Sequence, residues 1–416
     1  MIHFSVKIIC ADRVAIIFFI EDCIMLTMRP VNELYKKLFP YEHVLEQLCQ
    51  NSLTKPSAPD INIDFPNQRT FWYKVVQLAN ENNLVGVFAP TFRTLRNQGI
   101  LPWDVYNRTE RDYVVVRLRA LKQQAVFLDI LSALKKRGLP CIVMKTFPLS
   151  HLLYPGGPIK VSRDLDVLVP VAGYHDTTSF LARRGFLFVP NPKNPTMTNT
   201  MPSNKYATPK SQQQFQKGEC RIEIHTAIVD SYDFFSNVLT DEDVRKMTLE
   251  LSSQTQMITA GNTRIAVFAP TTLFLSLFLH IFFQHNFRHA ISYYEVARVL
   301  GVFEHKIQWN FVMAFIKKYG LVSYFYWFMS LFVVLFPRVI PIKLEQQIRS
   351  YRSSLSVLQR IAWYCARYNM FHSTPYPLNK LEHLEKKLTW ATVDKKLVKL
   401  SVREFKRRLY GRYVNS

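Results

Sequence analysis

The sequence predicts an α+β protein, a small mixed sheet flanked by N- and C-terminal helical modules. Three observations carry this. Apolar residues recur three and four apart up to about Gly138, alternate singly in "CRIEIHTAI", and return to helical spacing from Thr271 onward.

The elements follow in order. From Glu33 to Asn83 the pattern is helical, in "YEHVLEQLCQ" and "FWYKVVQLANENN", with the Pro-containing linker "LTKPSAPDINIDFPN" between them. After "LPWDVY" a long helix runs through "RDYVVVRLRALKQQAVFLDILSALKKRG", with basic residues in its last turn and Gly138 as its stop. "LPCIVMKT" is a buried strand, and "SRDLDVLVP" a second that ends at Pro170. "YHDTTSFLARRGF" is a helix and "CRIEIHTAI" a third strand. "GNTRIAVFAP" opens on a turn and gives a fourth strand, expected at an edge. The polar stretch "VPNPKNPTMTNTMPSNKYATPKSQQQ" is either a mobile loop over the site or a long hairpin excursion. These boundaries divide the chain into an extension at 1–27, a helical module at 28–125, a core at 126–268 and a helical module with a basic tail at 269–416.

A chain of 416 residues holds two to three domains, or one catalytic core with additions. Hydrophobic residues make up 48%, with 12 Gly and 22 Pro, which excludes disordered and fibrous classes. Lys and Arg number 53 against 31 Asp and Glu, a formal charge of +22. Such a field attracts RNA, nucleoside triphosphates or anionic lipid, and equally serves plain solubility. The six cysteines are scattered without paired spacing, so neither a zinc site nor a disulfide framework is expected. A reducing, cytoplasmic compartment fits.

The apolar run Val14–Ile20 is too short to span a bilayer, and charges flank it closely; Met28 is an alternative start. Tyr319–Pro337 carries no charge and sits at the lower length limit for a span. Its aromatic content and its terminal Pro337 favour a buried helix of the C-terminal bundle over membrane insertion. The basic tail "HLEKKLTWATVDKKLVKLSVREFKRRLYGRY" would suit RNA phosphates, an anionic membrane, or a solvated helix face.

The chemistry lies in "VSRDLDVLVP". On a strand, side chains alternate faces, so Asp164 and Asp166 point one way while Leu165 and Val167 face the core. Two carboxylates on one face call for cations, and a pair of Mg2+ (or Mn2+) ions about 3.5–4 Å apart would suit them. Glu223 is the third acid, since Arg221, Glu223 and His225 share one face of "RIEIHTAI". A lone D-x-D is most often a solvated turn; the apolar run after it and the later strand acid make the combination more specific. His280, His285 and His289 lack an acidic partner nearby, and packing explains them better than metal binding.

"GLPCIVMKTFPLSHLLYPGGPIKVSRDLDVLVP" resembles the signature of the uncharacterised nucleotidyltransferase family of the beta-type DNA polymerase superfamily. That signature has an apolar strand ending in Lys-Gly, a helix, a Leu-Tyr pair, then Arg-Asp-hydrophobic-Asp. Lys145, Leu153, Tyr154, Arg163, Asp164 and Asp166 match it, with Glu223 and His225 on the later strand and His280 and His285 in the helical segment. The likeness covers about Tyr35 to Pro341. Thr146 stands where the family has Gly, and Glu223 where it usually has Asp.

The resemblance implies a polymerase-beta-like palm and transfer of a nucleoside monophosphate from a triphosphate, ATP foremost, to a hydroxyl of a small molecule, a protein or an RNA. Asp164, Asp166 and Glu223 would hold the metal, and Glu223 would also polarise the acceptor. Lys145, Thr146 and Arg163 would bind the triphosphate, although Arg163 would serve as well by pairing with an acid. His225 would contact nucleotide or acceptor, or act as a hydrogen-bonded spacer. Replacing Asp164 or Asp166 by Ala is expected to abolish turnover and leave the fold nearly intact. The alternative is a protein of this fold that binds nucleotide or RNA without catalysis, with Thr146 as its clue.

Overall fold

The computed structural model describes residues 40–54, 68–154, 162, 164–189, 212–229, 239–284, 290–337, 339–355, 363 and 370–371. The extension at 1–27, the linker after Thr54, Arg163, the stretch 190–211, His285, His289 and the basic tail lie outside them.

Four helices come first: α1 (Pro40–Thr54), α2 (Gln68–Glu81), α3 (Val85–Asn97) and α4 (Trp103–Lys136). The last is 34 residues long and begins eight residues before the expected "RDYVVV". Gly138, at φ +67°, takes the left-handed turn that ends it, as its composition suggested. Helix α3 has no counterpart in the sequence reading; Gly86 and Pro90 within it hide its periodicity.

The mixed region runs β1 (Ile142–Val143), α5 (Thr146–Leu153), β2 (Leu165–Leu168), α6 (Tyr174–Arg183), β3 (Leu187–Val189), β4 (Gln212–Lys217) and β5 (Cys220–His225). It continues with α7 (Asp241–Ser252), β6 (Thr255–Ala260) and β7 (Thr263–Phe268). The seven strands form one sheet in the order β3-β4-β5-β2-β1-β7-β6. β2 pairs with β5, and β1 with β7, in parallel; the other pairings are antiparallel. The fold is therefore mixed α+β, as expected.

One expectation needs adjustment. β7 is internal rather than an edge, because β6 covers it through the turn at Gly261. A side chain at Gly261 would meet Leu128 at 3.2 Å, and its φ is +56°, so the turn needs glycine twice over. The stretch 190–211 lies between β3 and β4, which pair antiparallel, and is itself outside the described residues.

The remaining helices are α8 (Pro270–Leu279), a π turn over His280–Gln284, α9 (Ala290–Val302), α10 (Trp309–Lys318), α11 (Val322–Leu335) and α12 (Ile342–Ser353). Helix α11 is buried, Trp327 and Phe328 showing no exposure, which agrees with the bundle reading of Tyr319–Pro337. No helix among the described residues is long and apolar enough to cross a membrane.

Two cores hold the molecule together. One gathers Val44, Leu48, Trp72 and Phe88 from the first helices with Phe278, Tyr293 and Phe328 from the last, so both helical regions share it. The other lies under one face of the sheet, where Val167, Ile222 and Ile224 meet Phe127, Ile130 and Leu131 of α4 and Phe180 of α6. Burial of such side chains supplies most of the stability. The opposite face of β2 and β5 is thereby left to the polar residues.

Candidate active site

Alternation along two parallel strands builds the site. Leu165 and Val167 on β2, like Ile222 and Ile224 on β5, point into the core under the sheet. Asp166, Glu223 and His225 therefore share the other face. The parallel register sets Asp166 beside Glu223 and Leu168 beside His225. Asp164 precedes β2 instead of lying on it, which corrects the strand placement expected for it; it is half-buried. Its segment is pinned from behind: Ser162 Oγ donates to Asp164 O at 2.6 Å, and Gln123 of α4 donates to Ser162 O.

Asp166 is the most enclosed acid. Lys145 Nζ lies 2.5 Å from its Oδ1 and 3.9 Å from Glu223 Oε2. His225 Nε2 reaches the same Oδ1 at 2.8 Å and stands 3.6 Å from Glu223 Oε2. The His225 ring is fully buried.

Two residues that the sequence reading missed complete the cluster. β4 runs antiparallel to β5, with Gln214 opposite Glu223 and Gln212 opposite His225. Gln214 Nε2 donates to Glu223 Oε1 at 3.0 Å and Gln212 Nε2 to Oε2 at 2.5 Å. The signal was present, since "QQQFQ" alternates polar residues around Phe215 next to a strand, yet a Gln run without apolar alternation reads as loop.

Lys145 ends the first strand segment with φ +58° and ψ −129°, a backbone conformation that side-chain-bearing residues rarely adopt. Thr146 follows as the first residue of α5 and is half-buried. Among the described non-glycine residues only Asn83 and Lys145 have positive φ, so the position where the family has Gly does not itself require glycine here.

The electrostatics follow from three carboxyls in one place. Burial raises the Asp164 carboxyl, and the charges of Asp166 and Glu223 raise it further, to about 8. Burial opposes ionisation of Asp166 too, but Lys145 and the hydrogen bond from His225 outweigh it and hold this acid far below the usual carboxylate range. Burial alone would lower Lys145, yet Asp166 and Glu223 raise it, so the ammonium stays charged. Burial and Lys145 likewise oppose a charge on His225, whereas its bonds to Asp166 and Glu223 raise it.

The residues present fit a divalent cation. Asp166, Glu223 and His225 each offer a ligand atom, all within 4.8 Å of one another, and Asp164 stands beside this set. Three acids face one lysine, and burial together with that surplus negative charge pushes the Asp164 carboxyl toward its protonated form. His225 Nδ1 is buried without a partner among the described residues. His280 follows Leu279 at the end of α8, and the three described cysteines, Cys49, Cys141 and Cys220, are free thiols.

Fold and site together define a mixed α+β protein with a carboxylate-rich, lysine-capped centre on one sheet face. The chain belongs to the family described as uncharacterised nucleotidyltransferase, whose model matches residues 68–337. No curated protein and no solved structure matches it significantly.

Proposed function

We propose that the protein is a metal-dependent nucleotidyltransferase that moves a nucleoside monophosphate from a triphosphate, ATP foremost, to an acceptor hydroxyl. The observation that carries this is the register of β2 and β5, which sets Asp166 beside Glu223, with Asp164 two residues before Asp166 and under the charge of both. The β5-β2-β1 arrangement, with α4 and α6 on the opposite face, supports a polymerase-beta-like palm and membership of that superfamily.

In this reading Asp164, Asp166 and Glu223 hold Mg2+ or Mn2+, and His225 orients Asp166 from behind. When bound, the metal supplies Lewis acidity toward the triphosphate and the acceptor hydroxyl. The acceptor oxygen forms a bond to the α-phosphorus, the bond from that phosphorus to the bridging oxygen breaks, and pyrophosphate leaves. In this reading Glu223, whose carboxylate accepts from two glutamine amides, takes the acceptor's proton. Lys145 and the N-terminus of α5 at Thr146 meet the charge that develops on the leaving phosphates. Arg163 belongs to the same sequence motif and is assigned the same task. The acceptor class stays open among small molecule, protein and RNA, and the charge of +22 suits the last.

The test uses triphosphates labelled on the α-phosphate, Mg2+ or Mn2+, and a cell extract, with products separated into RNA, protein and small molecules. Wild type is compared with an Asp164→Asn, Glu223→Gln variant, which leaves the Lys145–Asp166–His225 contacts in place. Label that appears only with wild type supports the reading and names the acceptor class. Metal-dependent nucleotide binding without label in any fraction points instead to a protein that binds nucleotide without turnover.

A further inference from the structure

Asp166 Oδ1 accepts from two donors at once, Lys145 Nζ at 2.5 Å and His225 Nε2 at 2.8 Å. The same ammonium stands 3.9 Å from Glu223 Oε2. It therefore occupies the space between two of the three side chains whose donor atoms could surround a cation. Its partners are not solvent-exposed surface acids, since Asp166 is 2% and Glu223 8% exposed. The backbone that delivers it is held at φ +58°, a conformation that costs free energy and persists where the surroundings enforce it.

We propose that the Lys145 ammonium is the resident counter-cation of the nucleotide-free site, and that the protein consequently takes its divalent ion together with a triphosphate and not as a free ion. This rests on the nucleotidyltransferase reading above. A divalent ion cannot share Asp166 Oδ1 with an ammonium at contact distance without strong like-charge repulsion. Lysine is a compact charge on a flexible four-carbon stem, so it can withdraw if another anion receives it. A triphosphate is such an anion. Its arrival gives Lys145 a new partner and opens the carboxylates to the metal in the same event. Binding linkage then makes the effect mutual: nucleotide tightens metal binding by the factor by which metal tightens nucleotide binding.

The test measures Mn2+ binding to the full chain by electron paramagnetic resonance, with Mn2+ alone and with non-hydrolysable α,β-methylene analogues of the four nucleoside triphosphates. Wild type should bind Mn2+ alone weakly and at least about tenfold more tightly with an analogue. Lys145→Met should bind Mn2+ alone at least about tenfold more tightly than wild type and gain little from the analogue. Lys145→Arg, which keeps the cation, should stay weak without nucleotide, and it carries the test if the Met variant does not fold. Equal Mn2+ affinity of wild type with and without a bound analogue overturns the proposal, as does unchanged or weaker binding by Lys145→Met. If no analogue binds while Lys145→Met still tightens Mn2+, the counter-cation role stands and the nucleotidyltransferase reading falls.

Discussion

Gln214 lies directly opposite Glu223 on the neighbouring strand and donates its amide to Glu223 Oε1 at 3.0 Å, while Gln212, two residues earlier, donates to Oε2. Both oxygens of one carboxylate are thus fixed by side-chain amides. Hydrogen bonds to a charged group are stronger than neutral ones, and groups that orient a ligand commonly matter about 10- to 100-fold for metal affinity or activity. Gln214→Met and Gln212→Met keep the side-chain length and remove the donors. Each should lower kcat by about 10- to 100-fold with little change in the KM for nucleotide, since both bond to Glu223 rather than to the Lys145 ammonium. Wild-type kcat in both variants would mean that Glu223 needs no such support.

The two aspartates should part company in stability. Asp166 is paired with Lys145 and His225, so Asp166→Ala strands a buried ammonium and an imidazole, at a cost of about 3–5 kcal/mol. Asp164 faces Asp166 and Glu223 instead and already holds a proton below about pH 8, so Asp164→Asn, neutral as well, should change stability little at neutral pH. This revises the expectation that either substitution is structurally mild, because the sequence could not show which carboxylate holds the lysine. Urea unfolding of the two variants in chelator decides it; similar midpoints would contradict the pairing.

The pH dependence follows from Asp164, whose carboxyl is pushed up by burial and the neighbouring acids from an ordinary 3.8 to about 8 in the folded protein. Between those values the folded chain keeps a proton that the unfolded chain has released. Unfolding free energy must therefore fall as pH rises through this window, with a slope of at most ~1.4 kcal/mol per pH unit from this group. Wild type in chelator should lose stability from pH 5 to pH 8 more steeply than Asp164→Asn, and Mn2+ with nucleotide should restore it at pH 8. Parallel curves for the two proteins would place Asp164 in a different environment.

How much of this was legible depends on which physical feature carries each residue. Asp166 and Glu223 were visible because strand alternation separates them from Leu165, Val167, Ile222 and Ile224, and α11 was visible because an uncharged aromatic run has to be buried. Asp164 was misplaced by one strand position, since a D-x-D pattern does not reveal where pairing with β1 and β5 begins. Strands β3, β4 and β6 were missed: β3 is three residues long, the glutamines of β4 bind a carboxylate rather than pack, and β6 exposes alternate residues along an edge. No local pattern encodes a register such as Asp166 with Glu223, nor the positive φ of Lys145. Both arise from the assembled sheet.

That backbone detail bears on Thr146. A glycine in the family's Lys-Gly pair suggests a position with unusual φ, but here the unusual φ belongs to Lys145 while Thr146 begins α5 in helical conformation. Thr146→Gly thus gains no conformational relief and should cost up to about 1 kcal/mol through added chain entropy. Turnover should remain at the wild-type level, because the first-turn amides proposed to meet phosphate are the same in both proteins. A large rise in turnover would instead show that the threonine side chain crowds the bound phosphates, and would make Thr146 a brake on this enzyme. Steady-state kinetics on the two proteins, with thermal melts to verify the fold, separates these outcomes.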